Sequence, residues 1–148
     1  MKIVSPTGSW EIRNDSHGAG YFGAPRGNRT HKGIDLVVVA PQQIVSPIFG
    51  NIIREAYPYA SDLKWAGCLI IGTQEHVGLE VKMFYMRLYH HIRKQLPQYG
   101  HHVFPGNPIG TAQDISNKHG AEMIPHVHLE IRETQQSLVD PEKYKEGD

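Results

Sequence analysis

Cysteine is almost missing from this sequence, with one residue, Cys68, among 148. A single thiol excludes a disulfide framework and a structural zinc site made of several thiolates. Net charge is missing too, because 15 lysines and arginines balance 15 aspartates and glutamates, and no basic patch indicates a nucleic-acid partner. No apolar run approaches the length of a membrane span, and the opening residues are unlike a cleaved signal peptide. We therefore expect no nucleic acid and no membrane span, and the localisation stays open.

Glycine and proline are abundant, at 15 and 10 residues, and they divide the chain into short apolar segments, which is typical of an all-β fold. We predict antiparallel β-sheets that form a groove, with little helix. One domain should cover 1–148, with an irregular lead-in at 1–20 and a loose tail at 145–148. The apolar spacing predicts strands at 34–40, 44–45, 48–53, 69–72, 79–86 and 126–131. Over 81–96 the spacing also fits a helix, and that alternative stays open.

Histidine is in excess, with ten copies, and one short segment combines it with a carboxylate. His31 and Asp35 are four residues apart and would share one face of an extended segment, while Gly33 permits close approach between them. Asp35 opens an apolar run that should be buried, and a buried carboxylate needs a partner, which a cation can supply. The alternative is an exposed His31 and an Asp35 that bonds its own turn.

A second pair, His126 and His128, lies on one face of the last long predicted strand. Neutral imidazole and carboxylate are ligands of catalytic zinc, and three of them leave a fourth position for water. One such set is His31, Asp35 and His128. His126 would then stand beside the ion to handle a proton, and Glu130 could orient a ligating histidine. Exposed surface histidines and a solvated glutamate are the alternative.

Four motifs follow one another along the chain: His31-x-Gly33-x-Asp35, Val45-Ser46-Pro47-Ile48-x-Gly50-x-Ile52, Val103-x-Pro105-Gly106-x-x-Ile109-Gly110 and Pro125-His126-x-His128-x-Glu130. Their order and spacing resemble the lysostaphin-type (M23) zinc metalloendopeptidases, which cut peptide cross-links of bacterial peptidoglycan. The resemblance covers roughly residues 20–144. It implies antiparallel sheets with a groove over the metal, one Zn²⁺ per chain on His31, Asp35 and His128, and His126 as a catalytic histidine.

One position departs from the family pattern. The family usually carries a second catalytic histidine in a Tyr-x-His-Leu segment, and the matching stretch here is Tyr85-Met86-Arg87-Leu88. Arginine is not a base near neutral pH, but Arg87 could donate hydrogen bonds to an oxyanion or bind a substrate carboxylate. His91 is a further candidate, since it would share the strand face of Arg87 if the strand continued. The alternative is that Arg87 is an ordinary surface charge. We expect that the Tyr85 side chain lies in the core and that His119 lies in a loop.

The chain also resembles the leukocyte cell-derived chemotaxin-like branch of this family, which keeps zinc, lacks the second histidine and is not known as a peptidase. The shared segments are His31-Lys32-Gly33-Ile34-Asp35, Glu55-x-Tyr57-Pro58-Tyr59, Val81-Lys82-Met83-Phe84-Tyr85 and His126-Val127-His128-x-Glu130. Two functions follow from the resemblances. We favour a bacterial or phage peptidoglycan endopeptidase, and the alternative is an inactive zinc-binding module that holds a peptide or glycan in the groove. A β-domain without a metal is a third possibility, and the sequence does not indicate the oligomeric state.

Overall fold

The computed structural model describes residues 1–133 and 137–146. Most of its regular structure is β-strand, and the only α-helices in these residues are two of four residues each, α1 (His90–Arg93) and α2 (Ser116–His119). Short 3₁₀ turns lie at Gln74–His76 and Pro141–Tyr144. The strands are β1 (Asn14–Asp15), β2 (Gly18–Ala19), β3 (Pro25–Arg26), β4 (Arg29–Thr30), β5 (Ile34–Val37), β6 (Gln43–Val45), β7 (Gly50–Ala56), β8 (Gly67–Gly72), β9 (Leu79–Phe84), β10 (Met86–Leu88), β11 (His101–Val103), β12 (Pro108–Ala112), β13 (His126–Glu133) and β14 (Leu138–Val139).

The strands form one large sheet, one small sheet and two hairpins. The large sheet runs in the order β11-β7-β8-β9-β13-β14, and β5 pairs with the first half of β13. The small sheet has the order β10-β12-β6, and β1 with β2 and β3 with β4 form the hairpins. All of these pairings are antiparallel. The prediction of an all-β, antiparallel fold with little helix is confirmed.

The core lies on one face of the large sheet, and side-chain alternation decides which residues enter it. On β13, Val127, Leu129 and Ile131 are fully buried in the apolar cluster. The alternating residues of the same strand are His126, His128 and Glu130, and they line a cavity on the other face. Because successive side chains of a strand point to opposite faces, one strand serves both the core and the site.

The segment 81–96, for which a helix was the alternative, is strand up to residue 88. The side chains of β9 alternate between buried and half-buried, and its paired neighbours β8 and β13 supply the hydrogen bonds that a strand requires. The helical alternative holds only for the four residues of α1. The helix begins immediately after Tyr89, whose N–H donates to the carbonyl of Ile109.

The lead-in at 1–20 lies along the free edge of β5. The N–H of Arg13 donates to the Asp35 carbonyl at 2.8 Å, and the N–H of Asp35 donates to the Gly20 carbonyl at 2.9 Å. A Cβ on Gly20 would lie 2.8 Å from the Cβ of Asp35, so only glycine permits this approach. The lead-in thereby supplies hydrogen-bond partners to the backbone of β5.

The C-terminal segment is also tied to the fold. Lys145 forms a parallel bridge with Ile3, and Tyr144 is buried. Residues 147–148 of the predicted loose tail lie outside the described residues. Within the part of the chain that is described, no helix combines the length and the apolar character needed to cross a bilayer.

Candidate metal centre

The register of β5 against β13 brings the two predicted motifs together. His128 lies directly opposite Asp35 in this pair, and on its other side it lies opposite Phe84 of β9. A Cβ on Gly33 would lie 2.1 Å from the carbonyl oxygen of Leu129, so glycine allows the chain to enter β5 beside β13. His31, just before this point, is fixed by its N–H, which donates to the carbonyl of Ala24 at 2.8 Å.

Three donor atoms converge at the centre of this site. His31 Nε2 lies 3.1 Å from His128 Nδ1, His128 Nδ1 lies 2.8 Å from Asp35 Oδ1, and His31 Nε2 lies 3.2 Å from Asp35 Oδ1. Tetrahedral zinc with nitrogen and oxygen ligands at about 2.0–2.1 Å separates neighbouring donors by roughly 3.3 Å. The observed triangle is therefore close to the size that Zn²⁺ requires. These three residues are the group that could hold a metal among the described residues.

Hydrogen bonds behind the two histidines orient their rings. His31 Nδ1–H donates to the Tyr21 carbonyl at 3.1 Å, which leaves a lone pair on Nε2. His128 Nε2–H donates to Glu130 Oε1 at 3.0 Å and presents Nδ1 to the cluster. Partners of this kind fix the tautomer of metal-ligating histidines and raise their basicity. Glu130 thus lies where it can orient His128.

Arg13 holds the carboxylate of Asp35 from the opposite side. Its Nε and Nη2 each lie 3.1 Å from Asp35 Oδ2, and its Nη1 lies 2.7 Å from Asp15 Oδ1. Arg13 is 2% exposed. No sequence pattern signals this residue, because a contact across 22 positions depends on how the lead-in lies along β5. Its effect is to leave Oδ1 of Asp35 for the histidines.

The charges of the centre are strongly coupled. Burial alone would raise the pKa of Asp35, but the hydrogen bond from His128, with the neighbouring His31 and His126, holds the pKa well below its ordinary value. Burial alone would lower the pKa of His128, but its bonds to Asp35 and Glu130 raise that pKa to about 9. In the metal-free protein, one proton on His128 Nδ1 therefore lies among the three donor atoms at neutral pH.

His126 stands beside the triangle and is not part of it. Its Nδ1–H donates to the Ile124 carbonyl at 2.8 Å, and its Nε2 lies 3.6 Å from Asp35 Oδ2. Burial lowers the pKa of His126, although the charge of Asp35 opposes the shift. His126 is therefore neutral near pH 7, with an unprotonated Nε2 that faces the cavity and can accept a proton.

An irregularity in the strand directs two neighbouring aromatic side chains into the site. The N–H groups of Tyr85 and Met86 both donate to the carbonyl of Ala66, and Tyr85 has φ +69°. Such a bulge re-aims the side chain at its centre. Phe84 stacks on His128 with ring centroids 5.7 Å apart, and Tyr85 meets His126 edge-on at 5.3 Å. Tyr85 therefore lines the site and does not lie in the core, contrary to the expectation from sequence.

The cavity over the triangle has a volume of about 360 Å³. One wall carries Tyr59 and His119. The sequence indicated no role for Tyr59 and predicted only that His119 lies in a loop. Their loops approach the centre only in the tertiary fold, and no local pattern signals this. The lining also contains the residues of the candidate metal centre and the aromatic pair Phe84 and Tyr85. Its other members are His17, Arg26, Arg29, Thr30, Lys32, Pro58 and Met123.

The structure places Arg87 and His91 away from this cavity. Arg87 Nε lies 3.9 Å from Glu55 Oε1, and the residue is absent from the described cavity lining. His91 was a candidate on the condition that the strand continued, and that condition is wrong, because β10 ends at Leu88 and α1 begins at His90. His91 instead stacks on Tyr89, with centroids 5.9 Å apart.

A model of peptidase family M23 matches residues 29–141, which include every residue of the donor triangle. The chain belongs to peptidase family M23. The resemblance to the lysostaphin-type enzymes is thus confirmed. A relative of known sequence is leukocyte cell-derived chemotaxin-2 from Bos taurus, 26% identical over 130 residues, which are 86% of this chain and 78% of that protein.

Solved structures of M23 proteins have the same fold. Helicobacter pylori Csd3 superposes with a TM-score of 0.63 at 16% identity, over 100% of this chain and 36% of that one. Lysostaphin superposes with a TM-score of 0.58 at 18% identity, over 87% of this chain and 48% of that one. The chain therefore spans about a third of Csd3 and half of lysostaphin, and at these identities the likeness establishes the fold alone.

Proposed function

We propose that this chain is a zinc-dependent metalloendopeptidase that hydrolyses peptide cross-links of bacterial peptidoglycan. The observation that carries the proposal is the triangle of donor atoms from His31, Asp35 and His128, with the unprotonated Nε2 of His126 beside it on the cavity. Three protein ligands and one open position are the pattern of catalytic zinc. Membership of peptidase family M23 supports the same class of reaction.

When bound, Zn²⁺ supplies a Lewis acid that polarises a carbonyl group and acidifies water. His126 accepts at Nε2 the proton that the attacking water loses as its oxygen bonds to the carbonyl carbon. The same imidazole returns the proton to the amine nitrogen as the C–N bond breaks, which yields a carboxyl group and a free amine. Because Nδ1–H stays bonded to the Ile124 carbonyl, the ring keeps its orientation through both transfers.

The cavity supports an extended peptide or glycan as the bound partner. Its volume of about 360 Å³ lies within the range of small-ligand sites. The lining contains aromatic side chains together with Arg26, Arg29 and Lys32, which provide both apolar and charged contacts. The proposed substrate implies that the protein acts at the bacterial cell wall and comes from a bacterium or its phage.

The decisive experiment incubates the zinc-loaded protein with purified cell-wall sacculi and measures released peptides that carry new amino groups. We expect release that a chelator abolishes and that His126→Ala lowers by about 10²–10⁴-fold without loss of zinc. The exposed His102→Ala is the matched control and should retain full activity. Intact sacculi after treatment with the zinc-loaded wild type would overturn the proposal.

One observation favours a second candidate, a zinc-binding module without peptidase activity. The position at which the family usually carries a histidine is Arg87, and its side chain lies beside Glu55 and not at the cavity. The substitution Arg87→His separates the candidates. If the wild type releases no peptides from sacculi and the variant does, the protein is the binding module. If the wild type releases peptides, the second candidate is wrong.

A further inference from the structure

A chain of three polar side chains crosses the cavity wall next to His126. The hydroxyl oxygens of Tyr85 and Tyr59 lie 3.1 Å apart, and the Tyr59 hydroxyl lies 2.8 Å from His119 Nε2. The rings of Tyr85 and His126 meet in a T-shaped arrangement, and Tyr85, Tyr59, His119 and His126 line the same cavity. No other part of the proposed mechanism uses this row of hydrogen-bonded side chains. It stands at the metal centre, whereas Arg87 lies at Glu55.

The backbone at Tyr85 is held in a conformation that most residues avoid. Its φ of +69° is in the left-handed region, which is uncommon for a bulky side chain. The position is fixed from both sides, because the Tyr85 N–H donates to Ala66 and its carbonyl accepts from the N–H of Gln113. The Gln113 side chain adds two further bonds, from the Ala66 N–H and to the Lys64 carbonyl. Strain that the surroundings hold in this way commonly marks a functional position.

Resting on the proposed function, we propose that the Tyr85 hydroxyl donates a hydrogen bond to the oxyanion of the tetrahedral intermediate, in place of the family's missing second histidine. Tyr59 and His119 are positioning residues. In this assignment His119 Nε2–H donates to Tyr59, Tyr59 O–H donates to the Tyr85 oxygen, and the Tyr85 hydrogen is free to point into the cavity. Each phenol then uses its single hydrogen and one lone pair.

The reaction balances with one water molecule and these residues. The water oxygen bonds to the carbonyl carbon, the π electron pair moves to the carbonyl oxygen, and the water proton goes to His126 Nε2. Tyr85 stabilises the resulting oxyanion without giving up its proton. When the C–N bond breaks, the electron pair reforms the carbonyl and His126 protonates the amine nitrogen. A donor placed where charge develops stabilises the transition state more than the substrate.

The surroundings keep the Tyr85–Tyr59–His119 row in the required protonation states. Burial raises the pKa of Tyr85, and the charge of Asp35 adds to the shift, so the phenol remains a donor. Burial together with Lys118 lowers the pKa of His119, so that imidazole is neutral near pH 7. Lys118 also fixes the wall, because its Nζ lies 4.5 Å from the Tyr59 ring centroid and 3.3 Å from Asp62 Oδ2.

The test compares Tyr85→Phe with Tyr57→Phe, a neighbouring phenol whose hydroxyl bonds Glu55. We expect Tyr85→Phe to lower kcat on a peptide substrate by about 10²–10³-fold with KM unchanged, as for loss of one oxyanion donor. Its affinity for a peptide phosphinate, which carries a tetrahedral anionic centre, should fall by the same factor, while zinc content and thermal midpoint stay unchanged. Tyr57→Phe should match the wild type in every measurement.

The positioning residues give a second, graded readout. Tyr59→Phe should lower kcat and phosphinate affinity in parallel by a smaller factor than Tyr85→Phe. His119→Leu should do the same, whereas His119→Gln, which keeps a side-chain N–H, should restore most of the loss. A Tyr85→Phe enzyme with wild-type kcat, or one that loses kcat but keeps its phosphinate affinity, would overturn this inference and leave the proposed function standing. A zinc-loaded wild type that cleaves no peptide would overturn both.

Discussion

Arg13 holds the Asp35 oxygen that lies outside the donor triangle, with its Nε and Nη2 each 3.1 Å from Oδ2. Both residues are nearly fully buried, and Arg13 also pairs with Asp15. A residue of the N-terminal lead-in is therefore a structural support of the candidate metal centre. Three buried charges are coupled here, so the removal of one leaves the others uncompensated in a site of low dielectric.

Arg13→Met should therefore lower the free energy of unfolding of the metal-free protein by about 3–5 kcal/mol. Urea unfolding followed by circular dichroism measures the change. Arg29→Met, at an exposed position, is the matched control and should stay within about 0.5 kcal/mol of the wild type. Equal stability of the two variants would show that the Arg13–Asp35 pair does not support the fold.

If zinc is the bound metal, it should stabilise the protein strongly, because it would bind the folded donor triangle and not the unfolded chain. At a thousandfold excess over Kd the gain is about 4 kcal/mol, which corresponds to a rise in Tm of roughly 8–16 °C. His31→Ala, Asp35→Asn and His128→Ala should each abolish the rise, whereas His126→Ala should keep it. Calorimetric scans with and without zinc make the comparison, and a zinc-dependent rise that survives Asp35→Asn would contradict this ligand set.

Glu130 should contribute to zinc affinity without touching the ion. Since it accepts the Nε2–H of His128, Glu130→Gln should weaken zinc binding by about 10–100-fold. Competition with a chromophoric chelator measures the affinity. Glu75→Gln, at an exposed position in a 3₁₀ turn, is the control and should have no effect. Unchanged affinity in Glu130→Gln would mean that His128 keeps its orientation without this bond.

The affinity for zinc should rise with pH up to about pH 9. In the metal-free protein the raised pKa of His128, about 9, means that zinc must displace one proton below that pH. The dissociation constant should fall about tenfold per pH unit between pH 7 and pH 9 and then level off. Titrations at fixed ionic strength test this, and an affinity that levels off at pH 6.5 would show that His128 is not the displaced group.

The same shift sets the sign of the metal-free stability profile. A folded-state pKa above the ordinary value of 6.5 contributes stability that is complete below pH 6.5 and is lost as the pH rises through about 9. The lowered pKa of Asp35 contributes stability that is present above its ordinary pKa and is lost in acid. The contribution of the Asp35–His128 pair should thus be greatest between about pH 4 and pH 6.5, and urea midpoints from pH 6.5 to pH 9 measure its decline. For His128→Asn the decline between pH 6.5 and pH 9 should disappear.

Much of the site could be predicted from sequence because its residues fall in short, periodic segments. His31 and Asp35 flank a glycine at the start of an apolar run, and His126 and His128 alternate with buried residues on one strand. Strand periodicity alone then places each pair on one face. The same local logic failed at residue 91, where the chain leaves the strand for a helix after a break that the apolar spacing does not reveal.

The sequence by itself determined the β-rich architecture, the chemistry of the side chains of His31, Asp35, His126 and His128, and the absence of thiolate ligands, since all three follow from residue type and short-range spacing. Only the tertiary structure decided that Arg13 supports Asp35, that Tyr85 turns into the cavity and that Arg87 turns towards Glu55. These outcomes depend on the register between distant strands and on one bulge. Both are settled by backbone hydrogen bonds among segments far apart in the chain, which no local pattern encodes.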